Sequence, residues 1–288
     1  MLPPGMRDNL VVAGGGFNDP PAGLAVRVKL LGPFTISVGG RTAGPWPRPT
    51  AKRLCELVLV SPGRRVGRDL ACEELFSALG ANAAARALSK ALSMARAVLS
   101  ELGGPAAGLL QADMGHIWAQ SGARVDIDLE AHDNALRTAL AMGPGQDRDA
   151  RLVAVLADEG VLLGDEPYAD WAHGPRERLD ILRQEARLQL ARDRARGAGR
   201  SRSQAMVEAW ESCLGHDPAC EEAAAALMRA YAAQGLRHLV VRTYERCRAA
   251  LEELGLRISP ALDEVQAAAT FEPASARAPV SAPARLRE

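Results

Sequence analysis

Two stretches of this chain repeat each other at a spacing of 34 residues: Met206, Trp210, Cys213 and Pro218 recur in register as Val240, Tyr244, Cys247 and Glu252. Ahead of the second copy, Leu227, Tyr231 and Gly235 follow one another at steps of four. Large and small apolar residues at this period interlock between antiparallel helices, the spacing of a tetratricopeptide-like pair. A module of that kind binds partners or lines an assembly and does no chemistry of its own. Two copies are too few for a free-standing solenoid, so the repeat must lean on what precedes it. Function is to be sought there.

At 288 residues the chain is long enough for two ordinary domains. Apolar residues make up 48%, charged residues 24% and aromatic residues only 4%, which favours helices packed through small side chains. The longest apolar runs, Leu57–Val60 and Ala223–Met228, fall far short of a membrane span. Near the N-terminus, Leu10–Ala13 stops at Gly14-Gly15-Gly16 and is too short for the core of a secretory signal. A cytoplasmic protein with no membrane partner is expected. Cys55, Cys72, Cys213, Cys220 and Cys247 form no CxxC pair and the five histidines are scattered, so reduced thiols and no metal are expected.

The net charge is zero, but the charge is distributed unevenly. Residues 27–125 hold 13 Lys/Arg against 6 Asp/Glu, residues 126–170 hold 3 against 11, and residues 171–288 hold 18 against 16. A basic first half followed by an acidic belt suggests a polyanionic partner for the former.

Residues 1–25 are rich in Gly and Pro and read as disordered. From Val26, the alternation Val26, Val28, Leu30 and then Phe34, Ile36, Val38 predicts two or three short antiparallel strands. After Pro45-Trp46-Pro47-Arg48-Pro49, Thr50 is placed as the N-cap of a helix through Leu59. A second helix is expected over Arg68–Leu79, with Leu70, Leu75, Phe76 and Leu79 on one face, and a third over Ala83–Glu101, with Leu88, Leu92, Ala95 and Leu99 inward. Leu109–Gln111 and His116–Ala119 suggest a hairpin around Asp113-Met114-Gly115. Sheet, three helices and hairpin is the order of a winged helix-turn-helix with an extra N-terminal sheet. From Val125 onward nearly everything reads as helical, over about 129–142, 147–160, 171–197, 203–215, 218–234, 236–254 and 259–269. The expected fold is therefore mainly α. It has a winged helix-turn-helix with small antiparallel sheets over 26–120, a tetratricopeptide-like all-α domain over 125–270 and a disordered Pro/Ala-rich tail over 271–288.

In a winged helix the third helix lies in the major groove and its solvent face reads bases. Here that face carries Arg86, Ser89, Lys90, Ser93 and Arg96. Arg and Lys donate to guanine, and small hydroxyls allow close approach. Phosphate contacts are expected from Arg48, Thr50, Lys52 and Arg53 at the first helix, from Arg64, Arg65 and Arg68, and from His116 in the wing. Five to eight such contacts would make binding salt-sensitive, falling roughly 10³-fold or more between about 50 and 200 mM salt. Catalytic chemistry is not indicated. Gly14-Gly15-Gly16 and Gly39-Gly40 lack a phosphate-binding fingerprint, so no cofactor is expected. The pairs Asp126/Asp128 and Asp165/Glu166 have no nucleophile or metal ligand nearby and read as solvated charge. Trp171 and Trp210 read as packing residues. Arg192, Arg194, Arg196, Arg200 and Arg202 read as a solvated basic helix end.

Several motifs together resemble the antibiotic-regulatory (SARP-type) bacterial activators. In the first domain they are Val28-Lys29-Leu30-Leu31-Gly32-Pro33-Phe34, Val38-Gly39-Gly40-Arg41, Ser61-Pro62-Gly63-Arg64-Arg65-Val66 and the helix from Ala87 to Leu99. In the second they are Asp165-Glu166-Pro167-Tyr168-Ala169-Asp170-Trp171 and Arg176-Glu177-Arg178-Leu179, followed by Leu227-Met228-Arg229-Ala230-Tyr231 and Tyr244-Glu245-Arg246-Cys247. Glu252-Glu253-Leu254-Gly255 and Ser259-Pro260-Ala261-Leu262 complete the set. The resemblance implies an OmpR-like winged helix joined to a bacterial transcriptional activator domain, hence a non-enzymatic regulator that binds double-stranded DNA. It implies RNA polymerase, a signalling or ATPase partner, or a second protomer as contacts of the helical domain. The third helix departs from the family's Ser-Arg-Leu-Arg-Arg type run, reading Ser93-Met94-Ala95-Arg96-Ala97. That departure implies weaker phosphate affinity or a different sequence preference, and leaves a protein-interaction adaptor with a degenerate winged helix as the rival expectation.

Overall fold

Val26 and Val28 turn one way from their strand and Arg27 and Lys29 the other, and this alternation sets the first sheet. The computed structural model describes residues 25–120, 125–197 and 200–271. The segments expected to be disordered lie, apart from residues 25 and 271, outside the described residues, as do the side chains of Arg200 and Arg202. Strands β1 (Val26–Lys29), β2 (Thr35–Val38) and β3 (Arg41–Thr42) pair antiparallel in sequence order. The fourth strand of that sheet, β7 (Val125–Ile127), runs parallel to β1 with Val26 opposite Val125 and Val28 opposite Ile127. The sequence reading places no strand here, ahead of the helix expected over 129–142. Val125 and Ile127 are β-branched residues two apart, which suits a half-buried strand, but the partner is distant in sequence and local periodicity cannot reveal it.

The three helices follow as expected, with shifted ends. Helix α1 spans Pro49–Val60, α2 spans Arg68–Phe76 and α3 spans Ala81–Leu102. Arg48, not Thr50, is the N-cap of α1, and Pro49 takes the first helical position, where its missing N–H is no loss. Helix α3 buries Leu88, Leu92, Ala95 and Leu99 as its period requires. Helix α2 only partly buries the face expected of it. Only Ala71 is fully buried; Leu75 and Phe76 are half-buried against α1, α3 and the strand Arg65–Gly67, while Leu70, and Leu79 beyond the helix end, are about half exposed. A second sheet holds β4 (Arg65–Gly67), β6 (His116–Ala119) and β5 (Leu110–Ala112) in that order, so the expected hairpin gains a third strand ahead of α2.

The described residues divide into two compact units. One runs to Glu130 and takes in Gly160–Pro175; the other is Ala131–Glu159 with Arg176 onward. In the second unit, α7 (Arg200–His216), α8 (Glu221–Ala233), α9 (Arg237–Glu253) and α10 (Pro260–Phe271) pack in succession. The repeat positions Trp210, Cys213, Val240 and Cys247 are buried together with Leu227, Met228 and Leu251. Tyr231 donates to Glu211 at 2.5 Å and Tyr244 to Asp263 at 2.6 Å, so each phenol at the rim has an acceptor. Helices α4 (Asp128–Ala141), α5 (Gln146–Leu156) and α6 (His173–Ala195) account for the rest, with Asp170–Ala172 a short 3₁₀ turn before α6.

The segment 160–165 is bound to the first sheet within its own unit. The N–H of Gly32 donates to the carbonyl of Val161, that of Leu163 to Leu30, and that of Gly164 to Gly32, at 2.8, 2.8 and 3.0 Å. Leu162 and Leu163 are buried. Leu163 holds a left-handed φ of 51°, a conformation that persists only where packing over-determines it. Gly160 lies so close to Leu31 that a Cβ there would be 2.9 Å from Leu31 Cβ and 3.2 Å from its carbonyl carbon. Gly160→Ala should therefore lower stability by about 1–3 kcal/mol, as overpacking against backbone does. Gly44→Ala, which meets nothing within 4 Å, should be close to neutral. Urea denaturation of the two variants checks this.

Candidate nucleic-acid interface

Burying Leu88, Leu92, Ala95 and Leu99 turns the opposite side of α3 to solvent. Arg86, Ser89, Lys90 and Ser93 are all exposed on it, at the three- and four-residue steps of a single face. Arg86 and Lys90 enter no ion pair among the described residues. Ser89 is already engaged: its hydroxyl donates to the carbonyl of Ala85 at 2.9 Å and accepts from Arg68 at 3.2 Å. Arg96 is turned to a structural task, its Nε donating to the carbonyl of Leu110 at 3.0 Å and so tying α3 to β5. Of the five residues expected on the reading face, Arg86, Lys90 and Ser93 are left with free polar groups.

The wing is braced locally. Asp113 accepts the N–H groups of Gly115 and His116 at 2.8 and 2.7 Å, and those two bonds hold its carboxyl below the usual range. Met114 stands at the tip, almost wholly exposed. Arg65 on β4 lies over the Trp118 ring of β6, 5.7 Å from its centroid, with its charge still facing water. His116 is half-buried on the same sheet. Arg48 is exposed ahead of α1, and Thr50 is half-buried in its first turn.

The other three expected phosphate contacts are paired with carboxylates of the acidic belt. Lys52 bonds Asp165 and lies 3.8 Å from Glu166. Arg53 meets Glu166 at 3.0 Å. Arg64 holds Glu130 through Nε at 2.7 Å and through a second nitrogen, a two-pronged contact. Burial alone would lower the Lys52 ammonium, but its bonds to Asp165 and Glu56 outweigh this and raise it. Burial would likewise raise Asp165, yet Lys52 and the N–H of Phe34 at 3.2 Å bring it below the usual range. Asp128 accepts the N–H groups of Leu30 and Leu31 at 2.7 and 3.0 Å. Asp128, Asp165 and Glu166 are thus structural ligands, which corrects the reading of them as solvated charge. Nothing in their local spacing shows it, because every partner lies about 100 residues away.

Sequence reasoning also passed over Glu56. It sits within the apolar run of α1 and is fully buried. Its compensation among the described residues is Lys52 Nζ, 3.2 Å from Oε1, and neither carboxylate oxygen has a well-directed hydrogen bond. An acid four residues after a lysine inside a buried helix was the available signal.

In the second unit two arginines of the expected basic cluster, Arg192 and Arg196, meet carboxylates and a third bonds a carbonyl. Arg192 meets Glu222 at 2.7 Å, Arg194 donates to the carbonyl of Ala205, and Arg196 meets Asp193, which Arg148 also grips at 2.7 Å. The cysteines are all free, with Cys55, Cys213 and Cys247 buried and Cys72 and Cys220 half-buried. Burial pushes the Cys213 thiol up to about 12, so it stays protonated and inert. Among the described residues no group of His, Cys, Asp and Glu could hold a metal, and no helix is long and apolar enough to cross a membrane.

Comparison with known proteins places this geometry. The family model described as bacterial transcriptional activator domain matches residues 125–269. Among solved structures, Mycobacterium tuberculosis EmbR in complex with a low-affinity phosphopeptide is similar with a TM-score of 0.64 and 19% identity. The match covers 85% of this chain, which spans 65% of the length of that protein. At that identity the likeness is one of fold. No curated protein matches the chain.

Glu56 makes the first unit sensitive to pH. Burial raises its carboxyl from the ordinary 4.5 to about 7, against the lowering pull of Lys52 and with a further push from Glu166 and Asp165. A carboxyl whose folded value lies above its unfolded one costs stability as pH rises between the two, and the cost is complete above the higher value. Between pH 5 and 8, where Asp165 stays ionised, the protein should lose on the order of 2–3 kcal/mol relative to Glu56→Gln. Urea titrations of both proteins across that range measure the difference; parallel curves would contradict it.

Proposed function

This chain belongs to the bacterial transcriptional activator domain family, and from that premise we propose that it is a transcriptional regulator that binds duplex DNA through α3. The observation that carries the reading is the exposed Arg86–Lys90–Ser93 face, whose cations have no acidic partner among the described residues, on a helix packed against α1 and α2 and followed by a braced wing. Arg86 and Lys90 have the reach and donor groups to read guanine edges in the major groove. Arg48, Arg65, Arg68 and Thr50 are the proposed phosphate contacts, with His116 at the wing, over residues 26–120. Ser89 and Arg96 support that face by holding Arg68 and β5 in place.

For the activator region, over 125–270, we propose contacts with a second protomer, RNA polymerase or a signalling partner. EmbR, similar in fold, is seen in complex with a low-affinity phosphopeptide. A non-catalytic role is proposed for this chain.

The variant Arg86→Ala with Lys90→Ala should lose preference for a duplex selected from a random library, by about 10- to 100-fold per base contact, while retaining weak binding to random duplex. Arg48→Ala should weaken binding to both duplexes alike. Fluorescence anisotropy at low salt measures these changes. Retained selectivity in the double variant would remove the role from α3. Failure of the unmodified protein to bind any duplex at micromolar concentration would favour the adaptor.

A further inference from the structure

We propose that Asp165 and Glu166 are an internal competitor for nucleic-acid phosphate, occupying Lys52 and Arg53 so that the cations of α1 are withheld from the DNA backbone. The inference rests on the duplex-binding reading given above. Its basis is geometric. Lys52 and Arg53 occupy the first turns of a helix in a basic segment, and the carboxylates paired with them both come from the segment 160–166.

The local charge favours exclusion. Lys52 faces Glu56 on its own helix and Asp165 and Glu166 from the segment, and Arg53 faces Glu166, two positive groups against three negative when all are ionised. A phosphate approaching α1 therefore meets net repulsion although two cations are present. Replacing the two segment carboxylates by their amides leaves the cluster at a net charge of +1.

The exchange does not require the segment to detach. Its hold on the sheet comes from the buried Leu162 and Leu163 and from backbone hydrogen bonds, which lie ahead of the carboxylates in the chain. The Arg53 side chain is 44% exposed, although Glu166 is only 12%, so the guanidinium is open to water and can turn to a phosphate. Lys52, at 18%, is held more closely and should exchange second. An amide at 165 can still accept the N–H of Phe34, so the substitution spares that bond.

The test is the salt dependence of binding to a random-sequence duplex, with thermal unfolding as a check that each variant folds. Asp165→Asn with Glu166→Gln should bind more tightly at low salt, and its log–log salt slope should steepen by about 0.9 for each phosphate gained, up to about 1.8. Glu166→Gln alone, which removes the charge facing Arg53 and the longer contact to Lys52 but leaves the Lys52–Asp165 bond, should show about half of that and keeps the proposal testable if the double variant is unstable. Adding Lys52→Ala and Arg53→Ala should abolish the gain. An unchanged or shallower slope would overturn the proposal. A gain that survives loss of Lys52 and Arg53 would also overturn it, by tracing the effect to overall charge. Absence of binding by the unmodified protein and by the variants would overturn both this proposal and the duplex-binding reading, whereas binding with no change on substitution would overturn only the former.

Discussion

The carboxylate of Asp128, accepting the N–H groups of Leu30 and Leu31, is the contact on which the first unit depends. Beyond the end of β1 the chain turns through Leu31-Gly32-Pro33, where no ladder partner is available for those two amides. A buried donor left without an acceptor costs about 1–3 kcal/mol. Asp128 supplies both bonds because β7, immediately ahead of it, lies parallel to β1. The carbonyl of Leu30 and the N–H of Gly32 are then taken by the segment 160–164, completing the account for the same turn.

This arrangement explains why the basic and acidic halves of the sequence coexist in one unit. The family match begins at residue 125, yet residues up to Glu130 and from Gly160 to Pro175 belong to the winged-helix unit. They bring Asp128, Glu130, Asp165 and Glu166 with them. Three of the cations that charge alone assigns to DNA are thereby employed in the fold, and Glu56 is buried at the expense of Lys52. What remains exposed is a smaller set, concentrated on α3, at β4 and ahead of α1. Four or five contacts from that set correspond to a loss of about 10²–10³-fold in affinity between about 50 and 200 mM salt.

Local signals carried most of the secondary structure. The period of Leu88, Leu92, Ala95 and Leu99 placed α3 and its solvent face, and the 34-residue repeat placed α7 to α10, because in both cases the partner residues lie within a few turns. The strands β4 and β7 escaped notice since three residues give too short an alternation to distinguish from a loop or helix end. The fate of Lys52, Arg53 and Arg64 was illegible for a related reason. A cation followed by solvent and a cation followed by a carboxylate a hundred residues away look identical in sequence. Charge blocks predict that opposite signs will meet, but not which residues will be consumed when they do.

Lysine acetylation footprinting tests the central claim directly, because the chain contains three lysines, Lys29, Lys52 and Lys90, each in a different setting. Lys29 is exposed on β1, Lys52 is paired with Asp165, and Lys90 is exposed on α3. Rates measured by mass spectrometry with and without duplex should show Lys90 fast when free and protected by DNA. Lys52 should be slow in both states, and Lys29 should react at the same rate in each. A Lys90 that DNA leaves unprotected, or a Lys52 that reacts freely until DNA covers it, would contradict the account.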